Sequence, residues 1–172
     1  MKVVIMSGIP GSGKTTFQKE AYAGAAVYSS DDYFRKPCPK CQFTDGPNIN
    51  LECAICKGTL EFYDFKKAMQ GAAHQYCLRG YTQLITSPLA LDPERYVVVD
   101  NTNTTAIEIA PYAQLALAFG NEVTILTIEC PVHVAMARQT HGVPQETIER
   151  MFSQLRARIL PTYWNQQTIS IS

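Results

Sequence analysis

The stretch Gly8-Ile9-Pro10-Gly11-Ser12-Gly13-Lys14-Thr15-Thr16 restricts what this chain can become more than any other. Gly8, Gly13, Lys14 and Thr15 stand at the spacing G-x-x-x-x-G-K-[ST], with the apolar run Val3-Val4-Ile5-Met6 ahead and a helical pattern over 15–23 behind. A strand, a glycine-rich turn and a helix in that order make a polyphosphate cradle. The glycines let consecutive backbone N–H groups face the anion, and the helix dipole adds to the attraction. Lys14 reaches toward the β- and γ-phosphates, and Thr15 offers a hydroxyl to Mg²⁺. Gly8, Pro10, Gly11, Ser12, Gly13, Lys14, Thr15 and Thr16 are therefore the expected contacts of ATP or GTP. The competing reading is an incidental glycine-rich turn.

A length of 172 residues fits one domain with one core and a small insertion. Lys and Arg total 15, as do Asp and Glu, so no global positive field announces nucleic acid, and such a partner needs a local patch. No stretch is long and apolar enough for a membrane span, and the short apolar start does not resemble a signal peptide. A cytoplasmic protein with no membrane partner is expected. In that reducing compartment the six cysteines read first as metal ligands or buried apolar residues.

Four of the six form two C-x-x-C pairs, Cys38-Pro39-Lys40-Cys41 and Cys53-Ala54-Ile55-Cys56, inside a proline- and glycine-containing segment over 36–58. Paired tight turns of this kind face one another around a closed tetrahedral sulfur site, which favours structural Zn²⁺, with iron the other candidate. Scattered buried cysteines or redox dithiols are the alternatives.

The rest alternates strands and helices. Strands are expected over 25–29, 96–99 and 123–128, and helices over 62–85, 109–119, 131–138 and 144–158, with Phe65, Met69, Ala72, Ala73, Tyr76 and Leu84 near one stripe of the first. This order implies an α/β fold, a three-layer parallel sheet of the P-loop NTPase type with helices on both faces and the small four-cysteine insertion. Acids follow two strands. Asp31 and Asp32 come after the strand over 25–29, where at least one is expected to be catalytic, with capping of a short helix by either the alternative reading. Asp100 ends Tyr96-Val97-Val98-Val99, where a P-loop enzyme places an Mg²⁺-organising carboxylate and where a plain turn is the alternative. Thr105 and Glu108 have capping-box spacing. Arg138, before a polar break, suits a lid over about 138–145 that reaches the transferring phosphoryl group, unless it only complements a helix dipole. His74 is on pattern alone a packed helical histidine. The segment over 161–172 carries no readable motif.

Together, Gly8 to Thr16, Ser30-Asp31-Asp32-Tyr33, Val98-Val99-Asp100-Asn101-Thr102-Asn103 and Arg138-Gln139-Thr140-His141-Gly142-Val143-Pro144 resemble the kinase module of the phage-type 5′-polynucleotide kinases and their AAA-labelled relatives. The resemblance spans nearly everything but the cysteine insertion and the last twelve residues. It implies transfer of the γ-phosphate of ATP to a 5′-OH end of DNA or RNA, with Lys14 and Thr15 on the phosphates and Mg²⁺ and Asp31 as general base. It further implies Asp100 on the acceptor or metal side, Asn103 and Arg35 at the acceptor, Arg138 in the lid and His74 facing the site. Arg35 departs from the family pattern by a shifted register after the Asp-Asp-Tyr. Between Arg35 and Lys67 six basic residues, Lys40 and Lys57 among them, meet four acidic ones, and Phe43, Phe62 or Tyr63 offers a stacking face to a base. Two other functions compete: a kinase for a small-molecule or nucleoside hydroxyl, and an ATP-dependent binding module without efficient transfer.

Overall fold

The computed structural model describes residues 1–39, 41, 53–55 and 59–171. They divide into two compact units, Met1–Ser29 with Leu78–Ser172, and Ser30–Cys77.

The first unit is built on a five-stranded sheet whose pairings are all parallel. Strand β1 (Lys2–Ser7) is central, and five of its six residues are buried, as a strand covered on both faces requires. Helix α1 (Lys14–Ala21) follows, then β2 (Ala26–Tyr28). The second unit then contributes a single 3-10 turn (Ser30–Phe34), an antiparallel pair β3 (Arg35–Pro37) and β4 (Glu61–Tyr63), and the first half of α2 (Gln70–Ile85). Back in the first unit come β5 (Tyr96–Asp100), α3 (Ala106–Ala118), β6 (Glu122–Glu129), α4 (Val132–Arg138), α5 (Gln145–Ala157) and β7 (Asn165–Ser170). The strand order is β2-β5-β1-β6-β7.

Strand alternation divides the core in two. Val4, Met6, Val98, Leu126 and Ile128 pack with Phe17 and Tyr22 around α1. Val3, Ile5, Val97, Val99 and Ile125 point the other way and are equally buried, with α3 running against β1 and β6 through Ile109, Tyr112, Ala113 and Ala116. Tyr81 is wholly buried and satisfies its hydroxyl by donating to the Tyr112 carbonyl at 2.9 Å. This is the α/β architecture that the alternation of elements implies. Among the described residues no helix is long and apolar enough to cross a membrane.

Three local expectations give way. Helix α2 starts at Gln70 rather than near Phe62, because Glu61–Tyr63 is extended and pairs with Arg35–Pro37. Its buried stripe is Ala73, Cys77, Tyr81, Leu84 and Ile85, whereas Phe65, Met69 and Tyr76 are exposed. That stripe steps by four and then three or four residues, the spacing of one helix face. The region after Pro161 holds β7, whose six residues pair with β6 from Thr124↔Asn165 to Glu129↔Ser170.

The capping box does form. The Glu108 carboxylate accepts from the Thr105 N–H at 2.9 Å and from the Thr105 and Thr104 hydroxyls at 3.0 and 3.2 Å, which fixes the entry to α3 behind Asp100. Glu108→Ala is expected to cost about 1–2 kcal/mol, measured as a lower urea midpoint with an unchanged m-value.

Candidate functional site

In a parallel sheet all strands deliver their carboxyl ends to one edge, where ligands of open α/β folds bind. Register decides which residues meet there. Met6 lies opposite Asp100 and Leu126, so the loop after β1 leaves the sheet directly beside the acid that ends β5.

The loop over 8–13 is shaped for an anion. Gly11 (φ +80°) and Gly13 (φ +93°) occupy the left-handed region that side chains avoid. A β-carbon on Gly11 would also sit 2.1 Å from the Ala135 carbonyl oxygen, so α4 packs straight onto the loop. Gly13 caps α1, and Lys14 is the helix's first residue. The Lys14 ammonium is folded across the loop, donating to the carbonyls of Gly8 at 2.9 Å and Ile9 at 3.0 Å. The Ser12 hydroxyl is buried inside the loop without a hydrogen-bond partner among the described residues, a group left for a ligand or water to satisfy. Thr15 donates through Oγ1 to Asp100 Oδ2 at 2.8 Å. A hydroxyl and a carboxylate meeting at the mouth of the cradle are the oxygen donors Mg²⁺ takes, so these residues fit a magnesium nucleotide. Pro10, Gly11 and Gly13 are half-buried, and Thr15 and Thr16 are exposed.

Asn103, with φ +42°, is buried at 3 % exposure. Its amide donates to the Met6 carbonyl at 2.7 Å, and its own carbonyl accepts from Ser7 Oγ at 2.8 Å, so its side chain works inside the fold. Sequence reading missed the group that completes this cluster. Arg158, just past α5, donates to the Asn103 carbonyl at 2.9 Å, to Thr127 Oγ1 at 2.6 Å and to Ser7 Oγ. Burial lowers its pKa from the usual guanidinium value, with Glu108 and Glu129 acting in the opposite sense. One planar fork thus joins the ends of β1 and β6 to the loop after β5.

Arg138 is the exposed last residue of α4, three residues beyond the Ala135 that touches Gly11. The break after it is clipped by Gln139, whose side chain accepts from the Val143 N–H at 2.9 Å.

The remaining candidates belong to the second unit. Asp31 lies in the 3-10 turn and accepts a 2.9 Å hydrogen bond from the Tyr63 hydroxyl. Desolvation, then the Asp31 charge and hydrogen bond, push the Tyr63 pKa well up against a smaller opposing pull from Arg35, so Tyr63 stays a proton donor. Asp32 is exposed and pairs with Arg35 at 3.2 Å. His74 is half-buried in α2. Phe34 is buried and its ring meets those of Tyr33, Tyr63 and Phe65, which gives the unit an aromatic centre. Cys38, Cys41 and Cys53 are buried, with their sulfurs all within 4.8 Å of one another. Cys56, the fourth expected ligand, and Lys40, Phe43 and Lys57 lie outside the described residues.

The family model described as "AAA domain" matches residues 3–158. The chain belongs to the AAA domain family. Solved structures agree on the fold. A chain of the Pnkp1/Rnl/Hen1 RNA repair complex is 18 % identical with TM-score 0.58, over 90 % of this chain and 44 % of that one. A gluconokinase from Sinorhizobium meliloti 1021 is 13 % identical with TM-score 0.53, over 99 % and 83 %. The AvrRxo1-ORF1:-ORF2 complex with ATP is 17 % identical with TM-score 0.59, over 91 % and 47 %. This member of the family thus has a P-loop kinase fold and spans less than half of the RNA repair and ATP-complex chains that it matches.

Arg158→Ala removes one donor from each of three oxygens, of which the Asn103 carbonyl keeps Ser7 Oγ, and is expected to cost about 2 kcal/mol, a fall in Tm of roughly 4–8 °C by calorimetry. Arg158→Lys keeps the charge but not the fork, and its loss should be smaller but measurable.

Proposed function

We propose that this chain is an ATP-dependent phosphotransferase that phosphorylates the 5′-hydroxyl end of DNA or RNA. The observation that carries the phosphotransferase reading is the junction of Thr15 with Asp100 beneath a loop holding the poised Lys14 and the unsatisfied Ser12 hydroxyl. The nucleic-acid acceptor is supported by the motif order that resembles polynucleotide kinases and by a structural neighbour from an RNA repair complex.

Lys14 exchanges its carbonyl partners for the β- and γ-phosphates, and the backbone N–H groups of 8–13 hold the remaining charge. Thr15 and Asp100 would hold Mg²⁺, which when bound would neutralise charge on those phosphates. Asp31 accepts the proton of the attacking hydroxyl while its oxygen bonds to the γ-phosphorus and the bond to the β-phosphate oxygen breaks, releasing ADP. Asp31 lies in the Ser30–Phe34 turn, three residues after β2 ends in the chain. Arg138 stabilises the transferring group from the lid over 138–145, and Arg35 and His74 shape the acceptor side, while Asn103 braces the end of β1 from within the fold. A second reading, transfer to a small-molecule hydroxyl, draws on the gluconokinase likeness.

With labelled ATP, Mg²⁺ and a 5′-OH oligonucleotide, label is expected at the 5′ end. Asp31→Asn should lower kcat by about 10²–10⁴-fold and leave ATP affinity within about twofold. Label on a small polyol but on no oligonucleotide would move the assignment to the second reading.

Zinc is the ion we assign to the cysteines. Tetrahedral Zn–S bonds of about 2.3 Å hold sulfurs about 3.8 Å apart, whereas a disulfide needs about 2.05 Å. Cys38 and Cys53 stand at 3.9 Å. Elemental analysis should find about one zinc per chain, released in Cys38→Ser or Cys53→Ser.

A further inference from the structure

The β3–β4 hairpin is too small to hold itself. Each strand has three residues, all three of β3 are exposed, and two strands alone are marginal in water. Its ladder continues one step past each end. Asp64 N–H donates to the Phe34 carbonyl at 2.9 Å, and Cys38 N–H donates to the Leu60 carbonyl at 2.7 Å. Cys38 thus belongs to the ladder through its backbone and to the sulfur cluster through its side chain.

At the other end of the ladder Arg35 pairs with Tyr63, whose hydroxyl reaches Asp31. Strand side chains alternate, so a slip of one residue would turn Tyr63 to the opposite face and break its bond to Asp31. Asp31 sits in a 3-10 turn of five residues, and Tyr63 comes from 32 positions away to hold it.

We propose that a zinc ion on Cys38, Cys41 and Cys53 fixes the register of this hairpin, and that the register holds the Asp31 carboxylate through Tyr63. Tyr63 is then a positioning residue for the acceptor-side base, and the metal governs acceptor chemistry without touching substrate. This rests on the reading of Asp31 as the base.

The experiment compares zinc-loaded and chelator-stripped full-length chain, as wild type and as Tyr63→Phe. The readouts are hydrogen exchange at the Cys38 and Asp64 amides, the Cζ NMR resonance of Tyr63, ATP affinity, and kcat and KM for a 5′-OH oligonucleotide. Stripping the wild type should speed exchange at both amides and move the Tyr63 resonance toward its position in loaded Asp31→Asn. ATP affinity should stay within about twofold while kcat falls about tenfold, and added zinc should restore it. Tyr63→Phe should keep its zinc and its slow exchange yet lose about the same factor in kcat, and stripping it should then cost less than about twofold more. Unchanged exchange and an unmoved Tyr63 resonance on stripping would overturn the proposal, as would two losses that simply multiply. A loaded wild type that labels no acceptor would defeat the kinase reading, while the exchange and resonance data would still decide for or against the zinc-set register.

Discussion

Parallel pairing of β1 with β5, in the register that sets Met6 beside Asp100, is the constraint on which the donor half depends. It puts the end of an apolar strand, a glycine-rich turn and a carboxylate at one edge before any side chain has chosen a rotamer. Thr15 can reach Asp100, and Gly8 N–H can donate to the Thr102 carbonyl at 2.9 Å, only because the two strands end level. Arg158 adds the third strand by joining Thr127 of β6 to Ser7 and Asn103. Ile9, packed with Cys130, Ala135 and Ile148, ties the same turn to α4 and α5.

The second unit is held by different means. Among its described residues the sheet is limited to three paired residues per strand. Its order comes from rings around Phe34, from a hydroxyl on a carboxylate and from three sulfurs brought together. Small assemblies of this kind bury too little apolar surface to be rigid by packing alone, which is where a metal has most leverage. Asp31 and Asp32, neighbours in sequence, differ in kind: one takes a half-buried tyrosine's hydroxyl, the other an exposed arginine.

What could be read from sequence had a short repeat distance or fixed spacing. The G-x-x-x-x-G-K-[ST] spacing, the Val97-Val98-Val99 run into Asp100 and the Thr105–Glu108 box are local, and the parallel α/β class, though not the order of its strands, follows from alternation of elements. What escaped depends on partners far along the chain. Strand β7 reads Asn165-Gln166-Gln167-Thr168-Ile169-Ser170, polar and mostly exposed, and is a strand because β6 offers it a ladder. Arg158 has no motif; its role appears only when Ser7, Asn103 and Thr127 converge. The helical period carried back to Phe62 failed because Arg35–Pro37 captures Glu61–Tyr63 as a strand, and that pairing is invisible in either segment alone.

The Lys14 ammonium resting on the carbonyls of Gly8 and Ile9 has a thermodynamic corollary. The lysine stands in for the ligand's contacts within the loop, holding the turn open in the curvature that a phosphate chain needs. Arrival of a nucleotide is then mainly an exchange of one set of acceptors for another, with little chain left to freeze. The conformational entropy of that turn has been spent during folding, and binding should carry the signature of a rigid receptor rather than of coupled ordering.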